Sequence, residues 1–332
     1  MQLKILVIRL SSIGDIILTT PTIRALATQL NAEVHLLTKA TYKDLLSANP
    51  YIRKQYLLEK DIKAIIPSLI DEQYNCIIDL HHNWRSKYIT YKLGIKTYTT
   101  HKDNLGKLLL IYTGINKLAK IHQAERHINA VKNIGIHYDY NGLDFFIDPQ
   151  NQVKVEFNNN VNEPYLALSL GATHYTKKLP LEKLILILQE LTMPIVLLGA
   201  TEDLDTGSQI VDFFKTRKDI TIINGVGKWN IQQSASVIFN AQLVFAYDTG
   251  LMHIAAALDK DIVTVWGATV KDFGFYPLYK KNSKAQFQLF EVSELSCRPC
   301  SRAGSSSCPK DHFKCMNNQD IQGIAKAINN HF

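Results

Sequence analysis

The sequence predicts an α/β protein with two doubly wound, Rossmann-like domains. Short apolar strands alternate with helical stretches along most of the chain, which is typical of βαβ units. The opening strand is continuously apolar, as strands covered on both faces of a parallel sheet are. Residues 148–164 interrupt the alternation with an Asn-rich stretch bounded by two prolines, which predicts a linker. The chain has 332 residues, enough for about two domains.

The individual elements follow from the apolar runs and the turns between them. In the first half, strands are predicted at residues 3–10, 33–37 and 76–80, with helices from the loop at 11–15 to near Leu30 and at 39–47. In the second half, strands are predicted at 165–170, 194–199, 220–223, 243–247 and 262–266, and helices near 181–191, 205–217, 230–240, 249–258 and 319–330. Ligands of such folds bind in a cleft at the carboxyl ends of the strands.

Composition and motifs exclude several classes of protein. The chain is 46% hydrophobic and 20% charged, which excludes a disordered or low-complexity chain. No apolar run approaches the ~20 residues that cross a bilayer. Arg9 interrupts the N-terminal apolar stretch, so we expect no signal peptide and a cytoplasmic protein. The glycine patterns of NAD-binding folds and P-loops are absent, which counts against dinucleotide-dependent enzymes and P-loop hydrolases.

The positive charge is concentrated in residues 81–132. This segment has ten Lys or Arg residues against Asp103 and Glu125, a local charge of +8 in a chain whose net charge is +7. Trp84, Tyr88 and several other aromatic residues are interleaved with the basic ones. The pattern indicates either a solvated face of Lys-rich helices or an anionic partner. That partner is nucleic acid, a phosphorylated glycolipid or an anionic membrane surface.

Three strand-to-helix turns are candidate ligand sites. In the first, at residues 11–15, Asp15 either faces the cleft or caps the helix. The second, at 171–180, is a solvated loop or a diphosphate site, since it has hydroxyls and paired lysines. In the third, at 247–253, free N–H groups at the helix N-terminus would favour an anion. His253 and the Asp248–Thr249 pair also have ordinary structural explanations.

Four of the five cysteines lie between residues 297 and 315. Cys297, Cys300, Cys308 and Cys315 follow the spacing C-x2-C-x7-C-x6-C, which is compact enough for tetrahedral zinc. The alternative is a set of reduced cysteines that pack a loop-rich segment. A zinc ion here would be structural, and Cys76 is expected to be a core residue.

The three turns, in this order, resemble the ADP-heptose:lipopolysaccharide heptosyltransferase family of inverting glycosyltransferases. Residues 14–21 (GDIILTTP), after the opening strand, resemble its N-terminal signature. Residues 177–180 (KKLP) are similar to a Lys-x-Trp-Pro element, with Leu179 in place of Trp. Residues 248–258 (DTGLMHIAAAL) and 266–269 (WGAT) resemble its donor-site signature. The resemblance spans essentially the whole chain.

The resemblance implies a GT-B fold with an acceptor-binding domain at residues 1–155 and a nucleotide-sugar-binding domain at 163–318. It also implies that a helix within 319–332 packs back on the first domain. The implied acceptor is the lipopolysaccharide inner core, an anionic glycolipid at the inner face of the cytoplasmic membrane. The protein would then be peripheral to that membrane, with no nucleic-acid partner.

The resemblance also implies roles for individual residues. Asp15 is the catalytic base and Lys177 neutralises the leaving diphosphate, so transfer needs no catalytic metal or other cofactor. The donor contacts are Thr173, Thr176, Glu202, Asp248, Thr249, Gly250, Leu251 and His253. The acceptor contacts are Ser12, Gly14, Arg85 and Lys87. Two alternatives stay open: a transferase of the same fold that uses a UDP- or GDP-hexose, and a noncatalytic nucleotide-sugar or glycolipid binding protein.

Overall fold

The protein is described from a computed structural model that covers residues 2–157, 160–161, 163–217 and 219–332. Internal contacts divide the chain into two compact units. The first unit comprises Met1–Lys102 and Ile121–Asp148, and the second comprises Asp103–Lys120 and Pro149–Phe332. The last boundary between the units, at residues 148 and 149, falls at the start of the predicted linker, of which Asn158, Asn159 and Asn162 lie outside the described residues.

The first unit contains a five-stranded parallel sheet. Its strands are β1 (Lys4–Ile8), β2 (Glu33–Lys39), β3 (Lys54–Leu58), β4 (Cys76–Asp79) and β5 (Thr97–Thr99). Their order in the sheet is β3-β2-β1-β4-β5, and every pairing is parallel. The central strand β1 is buried along almost its whole length, which explains its continuous apolar sequence.

The second unit contains a six-stranded parallel sheet. Its strands are β6 (Leu166–Ser169), β7 (Ile195–Leu198), β8 (Ile222–Asn224), β9 (Leu243–Tyr247), β10 (Ile262–Trp266) and β11 (Phe287–Glu291). Their order is β11-β10-β9-β6-β7-β8, which is the Rossmann order 3-2-1-4-5-6 read from the other edge. The two sheets confirm the predicted α/β class with two Rossmann-like domains.

Helices alternate with the strands in both units, as right-handed βαβ crossovers require. They are α1 (Ile13–Ile17), α2 (Thr20–Gln29), α3 (Ile66–Asp71), α4 (Trp84–Leu93), α5 (Asn104–Thr113), α6 (Gln123–Asn129), α7 (Leu181–Gln189), α8 (Leu204–Phe214), α9 (Ile231–Asn240), α10 (Gly250–Ala257), α11 (Lys314–Asn317) and α12 (Ile321–Asn329). Among the described residues, no helix combines the length and apolar character needed to cross a bilayer.

The strand order makes the loops after particular strands neighbours. In the first unit β1 pairs with β4, so Ile8 lies opposite Asp79 at their carboxyl ends. In the second unit β6 pairs with β9 in the same way, with Leu168 opposite Phe245. In each sheet the strand order reverses at this pair, and such reversal points are where α/β folds bind ligands. The loops after β1, β4, β6 and β9 therefore hold the candidate sites.

One local prediction of a helix is wrong, and one segment groups with a different unit than expected. Residues 39–47 do not form a helix, because β2 runs on to Lys39 and only a short 3-10 turn at Ala40–Tyr42 follows it. Residues 103–120, expected in the first domain, belong by their contacts to the second unit, since Leu110 and Leu118 pack against Phe273.

The C-terminal helix also differs from the expectation that it returns to the first domain. Helix α12 packs on α7 within the second unit. Its buried side chains, Ile324, Ala325, Ala327 and Ile328, are part of the core of that unit. The apolar face of a helix determines where it docks, and this face is already covered there.

Candidate active site

Asp15 lies in the first turn of α1, directly after β1. Ser12, and not Asp15, is the N-cap residue of this helix. The Ser12 backbone N–H and hydroxyl both donate to Asp15 Oδ2, at 3.3 and 2.9 Å. Asp15 therefore does support the start of the helix, but only one of its oxygens is used in this way. Gly14 is buried inside the same short helix.

The other carboxylate oxygen of Asp15 is paired with Arg9. Arg9 Nη2 lies 2.6 Å from Asp15 Oδ1. The Arg9 side chain is buried, and it also donates to the carbonyl oxygens of Ser11 and Leu80. Leu80 follows β4, so Arg9 links the two loops that the strand order brings together. The guanidinium fixes the position of the carboxylate as well as its charge.

These contacts determine the ionisation of Asp15. Burial raises the pKa of Asp15, but the positive charge of Arg9 and the hydrogen bonds from Ser12 outweigh it and lower the pKa to about 2. Two histidines nearby stay neutral at physiological pH. Burial and the Arg9 charge lower the pKa of His127 to about 3, and burial, Arg9 and Lys102 lower that of His81 to about 4. Asp15 is thus an ionised carboxylate among neutral imidazoles.

In the second unit, Lys177 and Asp248 meet where β6 and β9 end. Lys177 Nζ lies 2.7 Å from Asp248 Oδ2 and donates to the Asp248 carbonyl oxygen at 3.0 Å. The Thr269 hydroxyl donates to the same carboxylate oxygen at 2.8 Å. The structure thus brings together residues from three of the motifs that the sequence singled out. Both charged side chains are largely buried.

The third candidate turn lies at the N-terminus of α10, as the sequence placed it. Thr249 is the N-cap, and Gly250 and Leu251 begin the helix. The backbone N–H groups of the first helical turn have no partner within the helix and favour an anion. The Thr249 hydroxyl is buried and has no hydrogen-bond partner among the described residues. His253 is buried one turn further along.

The loop that holds Lys177 is supported by a segment far along the chain. Thr176 N–H donates to the Ser305 carbonyl oxygen at 3.2 Å, and Ser305 N–H donates to the Thr176 hydroxyl at 2.8 Å. Thr176 is buried, so its hydroxyl serves this internal contact. Gly304 packs on His174 so closely that an added Cβ would lie 2.7 Å from the His174 Cβ. The Ser-rich loop at 301–307 therefore shapes the Lys177 loop.

The remaining predicted donor residues follow the carboxyl ends of β6 and β7 in the second sheet. Thr173 is exposed, and Glu202 is exposed in a 3-10 turn that follows β7. The neighbouring Asp203 is buried, accepts from Ala200 N–H at 3.2 Å and pairs with Lys178 at 2.6 Å. The two adjacent lysines therefore have different partners, Asp248 for Lys177 and Asp203 for Lys178.

The predicted acceptor residues Arg85 and Lys87 lie on α4. Asn83 caps this helix by accepting from Ser86 N–H. The Arg85 guanidinium stacks over the Trp84 ring at 4.6 Å, and Lys87 is exposed. The Trp84 side chain is itself 66% exposed. The helix thus presents aromatic and cationic groups to solvent.

Sequence reasoning missed the residues that position the chemistry. Arg9, Thr269 and Ser305 make the contacts described above, yet none of them was assigned a role. A signal existed for Arg9, because a charged residue at the end of a buried strand requires a buried partner. Thr269 ends the WGAT stretch that the sequence singled out, but no local pattern shows that its partner is Asp248, 21 residues away, or that Ser305 contacts Thr176, 129 residues away.

The zinc site suggested by the cysteine spacing is not shown. All four cysteines are free thiols. Cys297 Sγ lies 3.9 Å from His312 Nε2, whereas Cys315 is buried in the core beside Phe313 and Met316. Of the described residues, only Glu33, His35 and Glu72 bring three potential metal-ligand atoms within 4.8 Å of one another.

That acidic cluster is an ion-pair network and not a metal site. Lys4 and Lys54 ammonium groups each lie 2.7 Å from a Glu72 oxygen, so Glu72 is already neutralised. Lys4, Glu33 and Lys54 are the first residues of β1, β2 and β3. The cluster therefore lies at the amino ends of the strands, whereas Asp15 lies beyond the carboxyl end of β1.

Comparison with known proteins identifies the family of this chain. The family model described as glycosyltransferase family 9 (heptosyltransferase) matches residues 62–308. Lipopolysaccharide heptosyltransferase 2 of Escherichia coli K12 is 24% identical over 294 residues, covering 82% of this chain and 84% of that protein.

Two solved structures share the fold over nearly the whole chain. The E. coli ADP-heptose LPS heptosyltransferase II has a TM-score of 0.71 at 20% identity, covering 98% of this chain and 100% of that chain. The E. coli heptosyltransferase WaaC with ADP has a TM-score of 0.67 at 17% identity, covering 99% and 100%. These similarities confirm the GT-B fold class. The chain belongs to glycosyltransferase family 9, the heptosyltransferase family.

Proposed function

We propose that this family 9 enzyme transfers heptose from ADP-heptose to the lipopolysaccharide inner core, with inversion at the anomeric carbon. The observation that carries the proposal is the ionised Asp15 carboxylate, held by a buried guanidinium at the carboxyl end of β1. A protein that only bound a nucleotide-sugar would not require such a base. Similar proteins whose names include ADP-heptose and lipopolysaccharide support the choice of donor and acceptor.

In the proposed reaction, Asp15 accepts the proton of the attacking acceptor hydroxyl. The acceptor oxygen forms a bond to the anomeric carbon on the face opposite the diphosphate. The bond from that carbon to the diphosphate oxygen breaks, and the electron pair leaves with ADP. Asp15 ends protonated and releases its proton to solvent, which a group with a pKa of about 2 does readily.

We assign the donor diphosphate to the second unit. Lys177 supplies positive charge, and the backbone N–H groups at the start of α10 supply hydrogen bonds. The buried Thr249 hydroxyl is suited to contact a phosphate oxygen. In this proposal Asp248 and Thr269 hold Lys177 in place, and Glu202, Thr173 and His253 contact the nucleotide or the sugar. Because Lys177 provides the countercharge, transfer does not require a metal.

We assign the acceptor to the first unit, with Ser12 and Gly14 near the base and Arg85 and Lys87 on anionic groups of the glycolipid. The exposed Trp84–Arg85 pair of α4 has both the apolar area and the charge that such an acceptor requires. A glycolipid acceptor is embedded in a bilayer, so we further propose that the protein works as a peripheral protein at the inner face of the cytoplasmic membrane.

The first test compares ligands and then measures transfer. ADP should stabilise the purified protein by about 3 kcal/mol at a hundred times its Kd. Matched concentrations of GDP, UDP or NAD should stabilise it less. A preference for UDP or GDP would move the substrate to another sugar, and no response to any of them would favour a noncatalytic role. Elemental analysis of the unchelated protein tests separately for zinc at the four cysteines.

The second test addresses the base. Asp15→Asn should lower transfer from ADP-heptose by about 10²–10⁴-fold while leaving ADP stabilisation unchanged, since only proton acceptance is lost. Asp71→Asn, an exposed carboxylate at the end of α3, is the matched control and should transfer normally. Retained transfer in Asp15→Asn would remove Asp15 from the role of base.

A further inference from the structure

Helix α5 exposes a continuous row of apolar side chains. Leu105, Leu108, Leu109 and Tyr112 follow the spacing i, i+3, i+4, i+7 and so share one face of the helix. Leu105 is 83% exposed and Tyr112 is 81% exposed. Single exposed apolar residues are common on protein surfaces, whereas a contiguous apolar row marks an interaction site.

The ends of this row, Leu105 and Tyr112, are left to solvent and Leu108 and Leu109 are half-buried, because α5 packs mainly through its other face. Leu110 contacts the cluster formed by Leu118 and Phe273. Lys107 Nζ lies 5.3 and 4.9 Å from the ring centres of Phe273 and Phe275. The outer row instead lines an open groove of about 610 Å³, which Lys117 also borders. An outer face that is apolar and not needed for packing requires a separate explanation.

The charge around the row is positive. Residues 101–120 contain four lysines, at 102, 107, 117 and 120, against the single carboxylate of Asp103. Lys117 and Lys120 are both exposed, as is Ile115 beside them. Nucleic acid would use the charge but leave the leucines without a role. An anionic lipid surface uses both, since leucines insert at the acyl boundary while lysines contact the headgroups.

We propose that α5 together with residues 114–120 is an interfacial element that binds an anionic lipid surface, with Leu105 and Tyr112 as the inserted side chains. A ten-residue helix is about 15 Å long, so it lies in the plane of the interface and does not cross the bilayer. Tyrosine is suited to this depth because its ring is apolar and its hydroxyl is polar. The inference rests on the proposed function for its purpose, which is to bring the enzyme to an acceptor held in a membrane.

The experiment measures vesicle binding by the full chain. Vesicles of equal parts phosphatidylglycerol and phosphatidylcholine should co-sediment with the protein, and pure phosphatidylcholine should bind it far less. Added salt should weaken the binding, because the headgroup attraction is screened within a Debye length. Leu105→Ser/Tyr112→Ser should lower the partition coefficient by about tenfold or more. Phe239→Ser, at an apolar side chain on α9 that is 55% exposed, is the matched control and should bind normally.

Two further readouts separate this inference from the proposed function. ADP stabilisation and transfer to a deacylated, water-soluble acceptor should be unchanged in the double variant, which also checks that it is folded. If the wild type binds vesicles through α5 but does not transfer heptose, only the proposed function is overturned. Wild-type vesicle binding by the double variant would overturn the inference. The inference would also be overturned if the wild type did not bind vesicles but self-associated, and the double variant did not self-associate. The face would then contact a second copy of the chain.

Discussion

Arg9 Nη2 and Asp15 Oδ1 form an ion pair 2.6 Å long at the carboxyl end of the first strand. The pair joins the first residue after β1 to the first turn of α1, and Arg9 extends the connection to Leu80 beyond β4. The guanidinium helps to hold Asp15 ionised at neutral pH, because its charge and the hydrogen bonds from Ser12 together outweigh the effect of burial on the pKa of the carboxyl. The ionisation of the base that we propose thus depends on Arg9 as well as on its own carboxyl group.

Replacing Arg9 should change the pH dependence of transfer. In Arg9→Met the burial of Asp15 is opposed mainly by the hydrogen bonds from Ser12, so its pKa should rise from about 2 toward its ordinary value of 3.8. The acid limb of kcat/KM should therefore move up by about two pH units, because less of the base is ionised at low pH. Steady-state kinetics between pH 3 and 8 would show kcat/KM falling at the acid end in the variant while the wild type stays nearly constant.

Arg9→Lys is the comparison variant, since it keeps the charge but loses the fork of hydrogen bonds. It should retain an acid limb near that of the wild type and lose turnover through poorer positioning. Circular dichroism confirms folding of both variants. An unchanged pH profile in a folded Arg9→Met would contradict the proposed electrostatic role.

Removing Lys177 should weaken both donor binding and turnover. Lys177→Ala should raise the Kd for ADP by about 10–100-fold, because a charge-assisted contact to the diphosphate is lost. Lys178→Ala is the neighbouring control, since Lys178 pairs with Asp203. It should lower the melting temperature more than it changes the ADP affinity. Calorimetric titration with ADP measures the affinity of each variant. Equal effects of Lys177→Ala and Lys178→Ala on that affinity would show that the diphosphate does not bind at Lys177.

A change at Gly304 should affect the Lys177 loop from a distance. Gly304 has φ +99°, and an alanine Cβ there would lie 2.7 Å from the Cβ of His174. Gly304→Ala should therefore displace residues 174–177 and weaken ADP binding several-fold. Gly94→Ala is matched for backbone strain, with φ +64° and no atom within 4 Å of the added methyl group. Gly94→Ala should lower stability without changing the affinity for ADP. Wild-type ADP affinity in Gly304→Ala would show that the Lys177 loop is positioned independently of Gly304.

The Glu72 network should stabilise the fold in a pH-dependent way. Contacts with Lys4, Lys54 and Tyr56 lower the pKa of Glu72 from 4.5 to about 2. A carboxyl whose pKa is lowered on folding stabilises the protein above its unfolded pKa, and this contribution is lost as pH falls toward the folded value. Glu72→Gln should lose about 1 kcal/mol at pH 7 and progressively less between pH 4.5 and 2.

Urea unfolding at several pH values measures this difference. Glu59→Gln, at an exposed carboxylate after β3, is the control and should behave like the wild type at each pH. A Glu72→Gln deficit that stays constant with pH would show that shape, and not charge, is what Glu72 contributes.

The strands that sequence reasoning missed share a position in the fold. β3 and β5 are the two edges of the first sheet, and β11 is an edge of the second. Edge strands are covered on fewer sides, so their sequences are short or polar, as in Thr97–Thr99, and lack the apolar run that marks a central strand. Central strands such as β1 and β9 were predicted because burial on both faces requires apolar residues throughout.

The sequence by itself determined the alternation of strands and helices, the three candidate turns and the candidate base and lysine, because these depend on local patterns. The tertiary structure decided that Arg9 pairs with Asp15, that Lys177 pairs with Asp248, that Ser305 supports Thr176, and that residues 103–120 and α12 pack in the second unit. Arg9 and Asp15 are six positions apart across a strand-to-helix turn, whereas strand order and apolar docking bring the other pairs together across 71 and 129 positions. No local periodicity records such distances, which is why only the folded chain shows them.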